Sequence, residues 1–409
     1  ARSFPCRTLL SGPAGGVVGA WSVGSRLTKN ALLSLDMGGT STDVAAGKDL
    51  PTCVEQGRLG VHPIAQEMLP VETVGAGGGS IAWIDPDGLL QVGPQSAGAF
   101  PGPVAYGQGG QQPTVTDANV VLGRLPSLLG GQVTLDEVAA KSAMKRLADA
   151  LDQSIESTAQ AIIAQAEVRM ARACRRVTVA RGIDPEELCL IAFGGAGPLH
   201  AAAVCEELGC REFLVPHGAG VLSAWGIAHA KPRAFRQKSI TSPLNETIHA
   251  RLPQWFANLK SDAQSELNQA VKAHEFRLRL RYRGQGSSLQ IVWCAEDSLE
   301  KLRTRFEKAH VEGFGFAAAA DEIEIAQLHA EVTGSSPVLR SPTSSSSSIQ
   351  GPQVLLGMDR TVWLPEGWTA ERFDDQTLHC FRDEDQLTAS ATTQISLTLE
   401  VHHQRLAAI

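Results

Sequence analysis

The strongest constraint in this sequence is residues 32–44, where an apolar run ends in Asp36 and a second carboxylate, Asp43, follows two glycines and three hydroxyl residues. The apolar run predicts a buried strand, which places Asp36 at the end of that strand. Gly38 and Gly39 carry no Cβ, so a phosphate can approach their backbone and the turn can use positive φ angles. The pattern therefore predicts a hairpin that holds phosphate between two carboxylates.

The residue types in this hairpin indicate separate roles. Thr40, Ser41 and Thr42 offer hydroxyl and amide donors to phosphate oxygens. Asp36 and Asp43 are oxygen ligands suited to Mg²⁺ or to orienting a water, so both are candidate metal ligands and catalytic groups. The simpler alternative is an ordinary glycine hairpin capped by threonine and aspartate.

A second glycine-rich turn follows the apolar run at 188–193 and leads into a helix of small residues. Its glycines are Gly194, Gly195 and Gly197. A strand, a glycine turn and a helix N-terminus together form a site for an anion or a nucleotide. The spacing differs from the dinucleotide-binding fingerprint. The turn therefore indicates a nucleotide site mainly because it occurs together with the first hairpin.

Two further titratable residues are candidate catalytic groups. His200 lies in the first turn of the helix after Gly197, where it is either structural or a metal ligand or proton carrier near a γ-phosphate, acting with Asp117. Asp117 lies in the charge-poor stretch 92–125, rich in glycine and proline. It is either the N-cap of a short helix or a carboxylate that faces substrate or a metal. The glycine cluster at 75–79 is either a flexible hairpin loop or a point of close approach to a ligand.

Composition excludes several classes of protein. With 409 residues and 43% hydrophobic content, the chain can form two or three structural units. A net charge of −7 leaves no basic surface for nucleic acid, and no apolar run approaches the roughly 20 residues that span a bilayer. The eight cysteines are scattered without a Cys-x-x-Cys motif, which indicates reduced thiols in a cytoplasm and no cysteine-bound zinc at Cys205 and Cys210.

The pattern along the chain predicts an α/β core followed by smaller parts. Apolar residues at steps of three and four in the helix 154–182 form a stripe that we assign to the core. After residue 230 the pattern changes to that of a small α+β domain. The boundaries that we expect are 1–230 for the core, 231–340 for the α+β domain, 341–350 for a serine-rich linker and 351–394 for a closing segment. In the α+β domain we expect a helix at 246–274, strands at 275–283, 289–293 and 323–332, and a helix at 299–310.

Three strings carry a family resemblance. The hairpin string 36–44, the string Ser11 to Ala20 just before it, and the glycine cluster with its flanking strands resemble the hydantoinase A and 5-oxoprolinase family. That family is similar to the ATPases that include actin, hexokinase and the heat-shock chaperones. The resemblance extends from about Leu10 to Val332, and residues 395–409 resemble the opening helix of a hydantoinase B-type subunit.

The resemblance implies a fold and an activity. The implied fold is an actin/hexokinase-like, ribonuclease H-like ATPase lobe followed by a small α+β domain. The implied activity is ATP-dependent hydrolysis of a five-membered cyclic amide such as 5-oxoproline or an N-methylhydantoin, through phosphorylation of the amide oxygen. ATP and Mg²⁺ are the implied cofactors, with the turn at Gly194 to Gly197 against the adenosine, and a hydantoinase B-type subunit or fused domain is the implied partner in an oligomer.

Two departures from the family pattern affect these expectations. Family members carry an earlier Asp-x-Gly-Gly-Thr loop that this sequence lacks. We therefore expect a fragment whose hairpin faces the second glycine turn across an incomplete cleft, and which alone binds ATP weakly without turnover. The string from Gly197 to His200 is closer to hydantoinases and ketone carboxylases, whereas fusion to a hydantoinase B segment is typical of 5-oxoprolinases. A ketone carboxylase subunit and an inactive ATPase-like scaffold are the alternatives.

Overall fold

The computed structural model describes residues 8–382, apart from 52, 55–56, 60–61, 65–67, 268, 319–321 and 336–338. The chain divides into two units. The described residues up to 228 and from 340 to 382 form the first unit, and those between 229 and 339 form the second. The division lies next to the boundary expected at 230, but the described residues after 340 belong to the first unit instead of forming separate parts.

Both units contain helices and strands. The helices are α1 (Ser11–Leu27), α2 (Val115–Val121), α3 (Glu137–Leu151), α4 (Ile155–Val179), α5 (Gly197–Leu208), α6 (Leu222–His229), α7 (Glu246–His249), α8 (Leu252–Leu267) and α9 (Leu299–Phe314). The strands are β1 (Ala31–Met37), β2 (Thr42–Gly47), β3 (Gly57–Leu59), β4 (His62–Ile64), β5 (Glu72–Val74), β6 (Ser80–Ile84), β7 (Leu90–Ser96), β8 (Ser127–Leu128), β9 (Val133–Thr134), β10 (Leu188–Phe193), β11 (Glu212–Val215), β12 (Arg233–Pro243), β13 (Ala273–Tyr282), β14 (Leu289–Trp293), β15 (Ile323–Thr333), β16 (Ser344–Gln350), β17 (Gln353–Leu356), β18 (Thr361–Leu364), β19 (Trp368–Phe373) and β20 (Leu378–Arg382).

The first unit is built on a mixed eight-stranded sheet with the order β16-β19-β20-β11-β10-β1-β2-β5. Strands β5, β2 and β1 form an antiparallel meander, and β10 and β11 then run parallel to β1. This five-stranded arrangement is that of the ribonuclease H-like core, so the predicted α/β fold class is confirmed. It also places the ends of β1 and β10 side by side.

Strands β1 and β10 are buried on both faces, which explains their nearly continuous apolar sequences. Helix α1 packs tightly on one face, since a Cβ on its Gly24 would lie 2.7 Å from the side chain of Leu32 and 3.1 Å from that of Ile191. Helices α4 and α5 cover the other face. Side chains alternate along β1, so Asp36 projects toward the same face as Leu32, the face that α1 covers.

One sequence prediction about the core is confirmed, and the contacts of two cysteines at a helix end are defined. The α4 stripe is core, because Ile162, Ala166, Met170 and Cys174 are fully buried. Cys205 and Cys210 form the helix-end contact of a Schellman motif, in which the Cys210 N–H donates to the Cys205 carbonyl at 2.9 Å after the positive-φ residue Gly209. The described cysteines are free thiols.

The expected serine-rich linker is wrong. Residues Ser344–Gln350 form β16, the edge strand that pairs antiparallel with β19. A strand ladder is made by backbone groups, so exposed serines can occupy a sheet edge, and polar side chains there discourage pairing with other chains. Within the closing segment, β19 and β20 extend the sheet from β11. Residues 383–394 of that segment and the hydantoinase B-like stretch 395–409 lie outside the described residues.

The second unit is a four-stranded antiparallel sheet, β12-β15-β13-β14, with α8 and α9 packed on it. The predicted strand and its hairpin partner are confirmed as β13 and β14. The single helix expected at 246–274 is wrong, because α7 and α8 replace it and β13 already starts at Ala273. Two arginines of β13 are paired with carboxylates, Arg277 with Glu275 and Arg281 with Glu324, the latter at 2.5 Å. In the described part of the chain, no helix combines the length and the apolar character needed to cross a membrane.

Candidate phosphate and metal site

The two hairpin carboxylates lie opposite each other. Asp36 near the end of β1 and Asp43 in β2 are direct partners in the antiparallel ladder, so their side chains project from the same face of the sheet at close range. Both are half-buried. Ser223 donates its hydroxyl to Asp36 Oδ2 at 3.1 Å, and Thr73 donates to Asp43 Oδ1 at 2.5 Å. The fold thus brings together the two residues predicted to hold a metal.

The hairpin turn between them is open to solvent at its tip. The Gly38 N–H donates to the Ser41 carbonyl at 3.0 Å, while Gly39 and Thr40 are exposed. Neither Gly38 nor Gly39 uses the positive φ that glycine allows. A Cβ on Gly39 would meet nothing within 4 Å. The fold itself does not require glycine at position 39, which leaves that space for a group from outside the chain.

The glycine cluster at 75–79 supports this turn from behind. The Gly78 and Gly79 N–H groups donate to the Gly38 and Gly39 carbonyls at 3.0 and 2.6 Å. A Cβ on Gly77 would lie 2.7 Å from the Gly39 carbonyl, so only glycine fits there. The flexible-loop alternative is therefore wrong, and the close approach is to the hairpin backbone.

The hydroxyl of Thr42 is part of the same support. It donates to the Ala76 carbonyl at 2.6 Å, and the residue is fully buried. Thr42 therefore links the hairpin to the glycine cluster and is not free to donate to a phosphate in this arrangement. The exposed Thr40 and the half-buried Ser41 remain the hydroxyl candidates.

The second glycine turn packs directly beside the hairpin, not across a cleft from it. Parallel pairing of β1 with β10 sets Asp36 next to Phe193, and the Ala196 N–H donates to the Met37 carbonyl at 3.0 Å. Gly194 has φ 79°, and a Cβ on it would lie 2.5 Å from Asp36 Oδ1. Gly197 is buried, and a Cβ on it would lie 3.2 Å from the Leu35 carbonyl. Gly194 is thus required by the fold, and Gly197 leaves little room for a larger side chain.

Gly195 differs from its neighbours. It is exposed, a Cβ on it would meet nothing within 4 Å, and its φ is not positive. It precedes α5, which has no side-chain cap and no acidic residue in its first turn. Within the described residues, the N–H groups of Gly39, Thr40 and Gly195 have no hydrogen-bond acceptor. Open amides beside an uncapped helix N-terminus favour an anion.

The electrostatics of the carboxylates favour a cation between them. Burial raises the pKa of Asp36 to about 6, opposed by the Ser223 hydroxyl and increased by the neighbouring Asp43 charge. Burial also raises the pKa of Asp43, against the effect of the Thr73 hydrogen bond. Two carboxylates suit Mg²⁺ bound together with phosphate oxygens and waters. Among the residues that the structure describes, no group of three or more potential ligands suits a metal held by protein alone.

The contacts of Asp117 favour its structural alternative over a catalytic role. Asp117 is fully buried in α2, where its carboxylate closes a capping box with Thr114 and also accepts hydrogen bonds from the Val104 and Ala105 N–H groups at 3.2 and 2.7 Å. Burial raises its pKa, and these hydrogen bonds oppose the shift. The N-cap of α2 is Thr114, whereas the structural alternative assigned the N-cap to Asp117. A helix-capping role for Asp117 is therefore correct, but at the third position of the helix. Asp117 organises the loop before α2.

We expect Asp117→Ala to lower the free energy of unfolding by about 2–4 kcal/mol, because it leaves several buried donors without an acceptor. Asp136→Ala is the matched control. Asp136 caps the exposed start of α3 with one hydrogen bond to the Ala139 N–H at 2.8 Å, so its loss should cost about 1 kcal/mol. Denaturant unfolding of both variants measures the difference, and equal effects would contradict the assigned role of Asp117.

The contacts of His200 favour its structural alternative. The side chain is fully buried, with Nδ1 2.9 Å from Glu167 Oε1 and Nε2 3.4 Å from Asn119 Nδ2. These partners fit the tautomer that carries its proton on Nδ1. His200 has no hydrogen bond to Asp117, and each residue has its own set of partners. The network ties α5 to α4 and α2.

Sequence reasoning missed Ser223 and Thr73, the hydroxyl partners of the two carboxylates. Thr73 lies near the glycine cluster, and its pairing with Asp43 across β2 and β5 follows from the strand register. Ser223 is separated from Asp36 by 187 positions. No local pattern marks it, so only the fold reveals it.

Comparison with known proteins identifies the family. The sequence model of the hydantoinase/oxoprolinase family matches residues 1–236. This chain belongs to the hydantoinase/oxoprolinase family. The predicted family is thereby confirmed, and the matched residues include the hairpin, both glycine turns and α6.

Several members of the family and solved structures are similar to this chain. The caprolactamase subunit alpha of Pseudomonas jessenii is 33% identical over 83% of this chain and 52% of its own length. The 5-oxoprolinase of Saccharomyces cerevisiae is 34% identical over 84% of this chain and 28% of its own length. The structure of the ATP-dependent caprolactamase from Pseudomonas jessenii matches with a TM-score of 0.68 and 29% identity, covering 91% of this chain and 61% of that one.

A nucleotide-free structure of acetone carboxylase matches with a TM-score of 0.78 over 94% of this chain and 62% of that one. At 24% identity this likeness shows the fold alone. This chain spans about half the length of the caprolactamase subunit and a smaller share of the yeast 5-oxoprolinase.

Proposed function

We propose that this chain forms the phosphate- and Mg²⁺-binding part of an ATP-dependent enzyme that opens a five-membered cyclic amide, such as 5-oxoproline or an N-methylhydantoin. The observation that carries the proposal is the meeting of two features at one end of the sheet. The open amides of Gly39, Thr40 and Gly195 lie beside the facing carboxylates Asp36 and Asp43. The first feature suits phosphate and the second a divalent cation.

The proposed reaction requires little covalent chemistry from the protein itself. Transfer of the γ-phosphoryl group of ATP to the amide oxygen would release ADP and make the ring carbon open to attack by water. Cleavage of the ring C–N bond would then leave an acyl phosphate, which a second water would hydrolyse to the carboxylate and phosphate. The phosphoryl transfer depends on positioning and on neutralising charge. The open amides would orient the phosphate oxygens, and Asp36 and Asp43 would hold Mg²⁺. When bound there, Mg²⁺ would supply the positive charge that offsets the charge on those oxygens.

Two named relatives support a cyclic amide as substrate, since 5-oxoprolinase and caprolactamase are both named after one. The caprolactamase relative is a subunit, which supports a hydantoinase B-type partner or fused domain for this protein. The second candidate function is ATP-dependent ketone carboxylation, favoured by the string from Gly197 to His200. The cytoplasmic location and the oligomer stay predictions.

We expect Gly39→Ala to raise the KM for Mg-ATP about tenfold without lowering the melting temperature. The added Cβ meets nothing within the protein but occupies the space from which a phosphate would approach the backbone. Steady-state ATP hydrolysis by the complete enzyme, assembled with any partner it requires, measures the effect. Gly286→Ala is the control, because Gly286 is another glycine whose Cβ would meet nothing within 4 Å. An unchanged KM in Gly39→Ala would contradict the phosphate site.

The substrate is tested by measuring which compounds stimulate ATP hydrolysis. We expect stimulation by 5-oxoproline or N-methylhydantoin in the complete enzyme. Stimulation by acetophenone with bicarbonate would instead support ketone carboxylation. Stimulation by none of them, together with no effect of Gly39→Ala on ATP binding, would support the inactive scaffold.

A further inference from the structure

Ser223 is the side chain in the described part of the protein that donates to Asp36. Its Oγ lies 3.1 Å from Asp36 Oδ2. The other carboxylate oxygen, Oδ1, lies against the second glycine turn, since a Cβ on Gly194 would be 2.5 Å from it. One oxygen is therefore held by Ser223 of α6, and the other lies beside the second glycine turn.

The position of Ser223 is set by contact between backbones. A Cβ on Gly226 of α6 would lie 1.9 Å from the Gly15 carbonyl and 2.7 Å from the Gly19 nitrogen of α1. A Cβ on Gly15 would lie 2.4 Å from the Ser223 carbonyl. Helices this close cannot slide along each other without a steric clash. Ser223 is thus held rigidly beside Asp36.

The segment before α6 is fixed as well. The Ala219 carbonyl accepts a hydrogen bond from the Gly194 N–H at 3.0 Å. Asp359, from the turn between β17 and β18, accepts from the Gly220 N–H at 3.1 Å. The segment that carries Ser223 is therefore tied to the glycine turn on one side and to the closing strands on the other.

We infer that Ser223 is a positioning residue that holds the Asp36 carboxylate in the orientation needed to bind Mg²⁺ beside the phosphate cradle. The inference rests on the proposed function of Asp36 as a metal ligand. Without the hydroxyl, the Asp36 carboxylate can rotate. Metal binding then has to fix its orientation, which weakens the binding. Thr73 stands in the equivalent position on Asp43, so each carboxylate has one hydroxyl partner.

The test compares Ser223→Ala with Asp36→Asn in the complete enzyme, using Mn²⁺ as a paramagnetic probe of the Mg²⁺ site in the presence of a non-hydrolysable ATP analogue. We expect Ser223→Ala to weaken Mn²⁺ binding about tenfold, the effect of losing one hydrogen bond to a charged group. The Mg²⁺ concentration for half-maximal ATP hydrolysis should rise by a similar factor, while the KM for ATP at saturating Mg²⁺ stays within twofold. Ser223→Thr keeps the hydroxyl and should restore Mn²⁺ binding.

Ser25→Ala is the matched control, because among the described residues the Ser25 hydroxyl bonds only to the Trp21 carbonyl of its own helix. If Asp36→Asn abolishes Mn²⁺ binding and Ser223→Ala binds like the wild type, the positioning role is wrong and the metal site stands. If Asp36→Asn leaves Mn²⁺ binding unchanged, the metal site is wrong and the role of Ser223 falls with it. A rise in the KM for ATP equal to the rise in the Mg²⁺ requirement would indicate general damage to the site and overturn the inference.

Discussion

Replacing Asp36 with asparagine is expected to reduce the ATP hydrolysis rate of the complete enzyme by at least a hundredfold. Asparagine keeps the size of the side chain and can still accept the Ser223 hydrogen bond, but it removes the charge that would hold Mg²⁺. Preorganised charge at a phosphoryl-transfer site lowers the activation barrier by several kcal/mol. Steady-state kinetics at saturating Mg²⁺ measure the loss.

The same substitution is expected to make the ligand-free protein more stable at pH 8. The pKa of Asp36 is raised to about 6 from a normal value of 3.8, so the folded state disfavours the charged carboxylate. At about 1.4 kcal/mol per pKa unit, and allowing for partial exposure, the penalty removed is on the order of 2 kcal/mol. The penalty is fully present above pH 6, disappears as the pH falls from 6 to 3.8, and is absent below that.

Thermal unfolding across pH checks this sign. The melting temperature of Asp36→Asn should exceed that of the wild type at pH 8 and match it near pH 4. Mg-ATP should reverse the order at pH 8, because it stabilises only a protein that binds it. Asp87→Asn, at an exposed position, is the control and should have the melting temperature of the wild type at both pH values, with and without Mg-ATP. A destabilised Asp36→Asn protein at pH 8 would show that the carboxylate serves the fold and not a ligand.

The second large effect is expected at the glycine turn, where Gly194→Ala should destabilise the protein by about 3–5 kcal/mol and abolish measurable ATP hydrolysis. Alanine is strained at the φ of 79°, and its Cβ would lie 2.5 Å from both Asp36 Oδ1 and the Met37 carbonyl. Backbone oxygen cannot move aside cheaply, so the turn and the carboxylate both shift. Denaturant unfolding and steady-state kinetics measure the two losses.

Gly195→Ala is the matched control for stability, one residue along the same turn. Its Cβ would meet nothing within 4 Å, and its φ is not positive, so we expect a change in unfolding free energy below about 0.5 kcal/mol. Equal destabilisation by both substitutions would contradict the distinction between glycines that the fold requires and glycines that leave room for a ligand.

Much of the first unit was predictable because its signals are local. An apolar run between turn residues specifies a buried strand, and the apolar stripe of α4 specifies a helix with one core face. The hairpin at Asp36 to Asp43 and the glycine turn after β10 both lie where the sequence placed them. The serine-rich strand β16 was missed because sheet pairing satisfies backbone groups and needs no apolar side chain in an edge strand.

The roles of individual side chains were predicted less well. Asp117 and His200 looked like catalytic groups, because a sequence shows residue type but not burial or partners. The fold places Asp117 among backbone donors and His200 between Glu167 and Asn119. Thr42 was assigned to phosphate, yet alternation along β2 turns its hydroxyl to the Ala76 carbonyl.

The sequence by itself determined the family, the fold class and the hairpin with its two carboxylates, since these depend on short strings of residues. Only the tertiary structure decided which glycines serve the fold, which amides stay open, and which hydroxyl holds Asp36. Gly39 and Gly77 look alike in the sequence, but one faces open space and the other touches backbone. The physical reason is that such contacts join residues as far apart as Asp36 and Ser223, which are brought together only when α6 packs on α1.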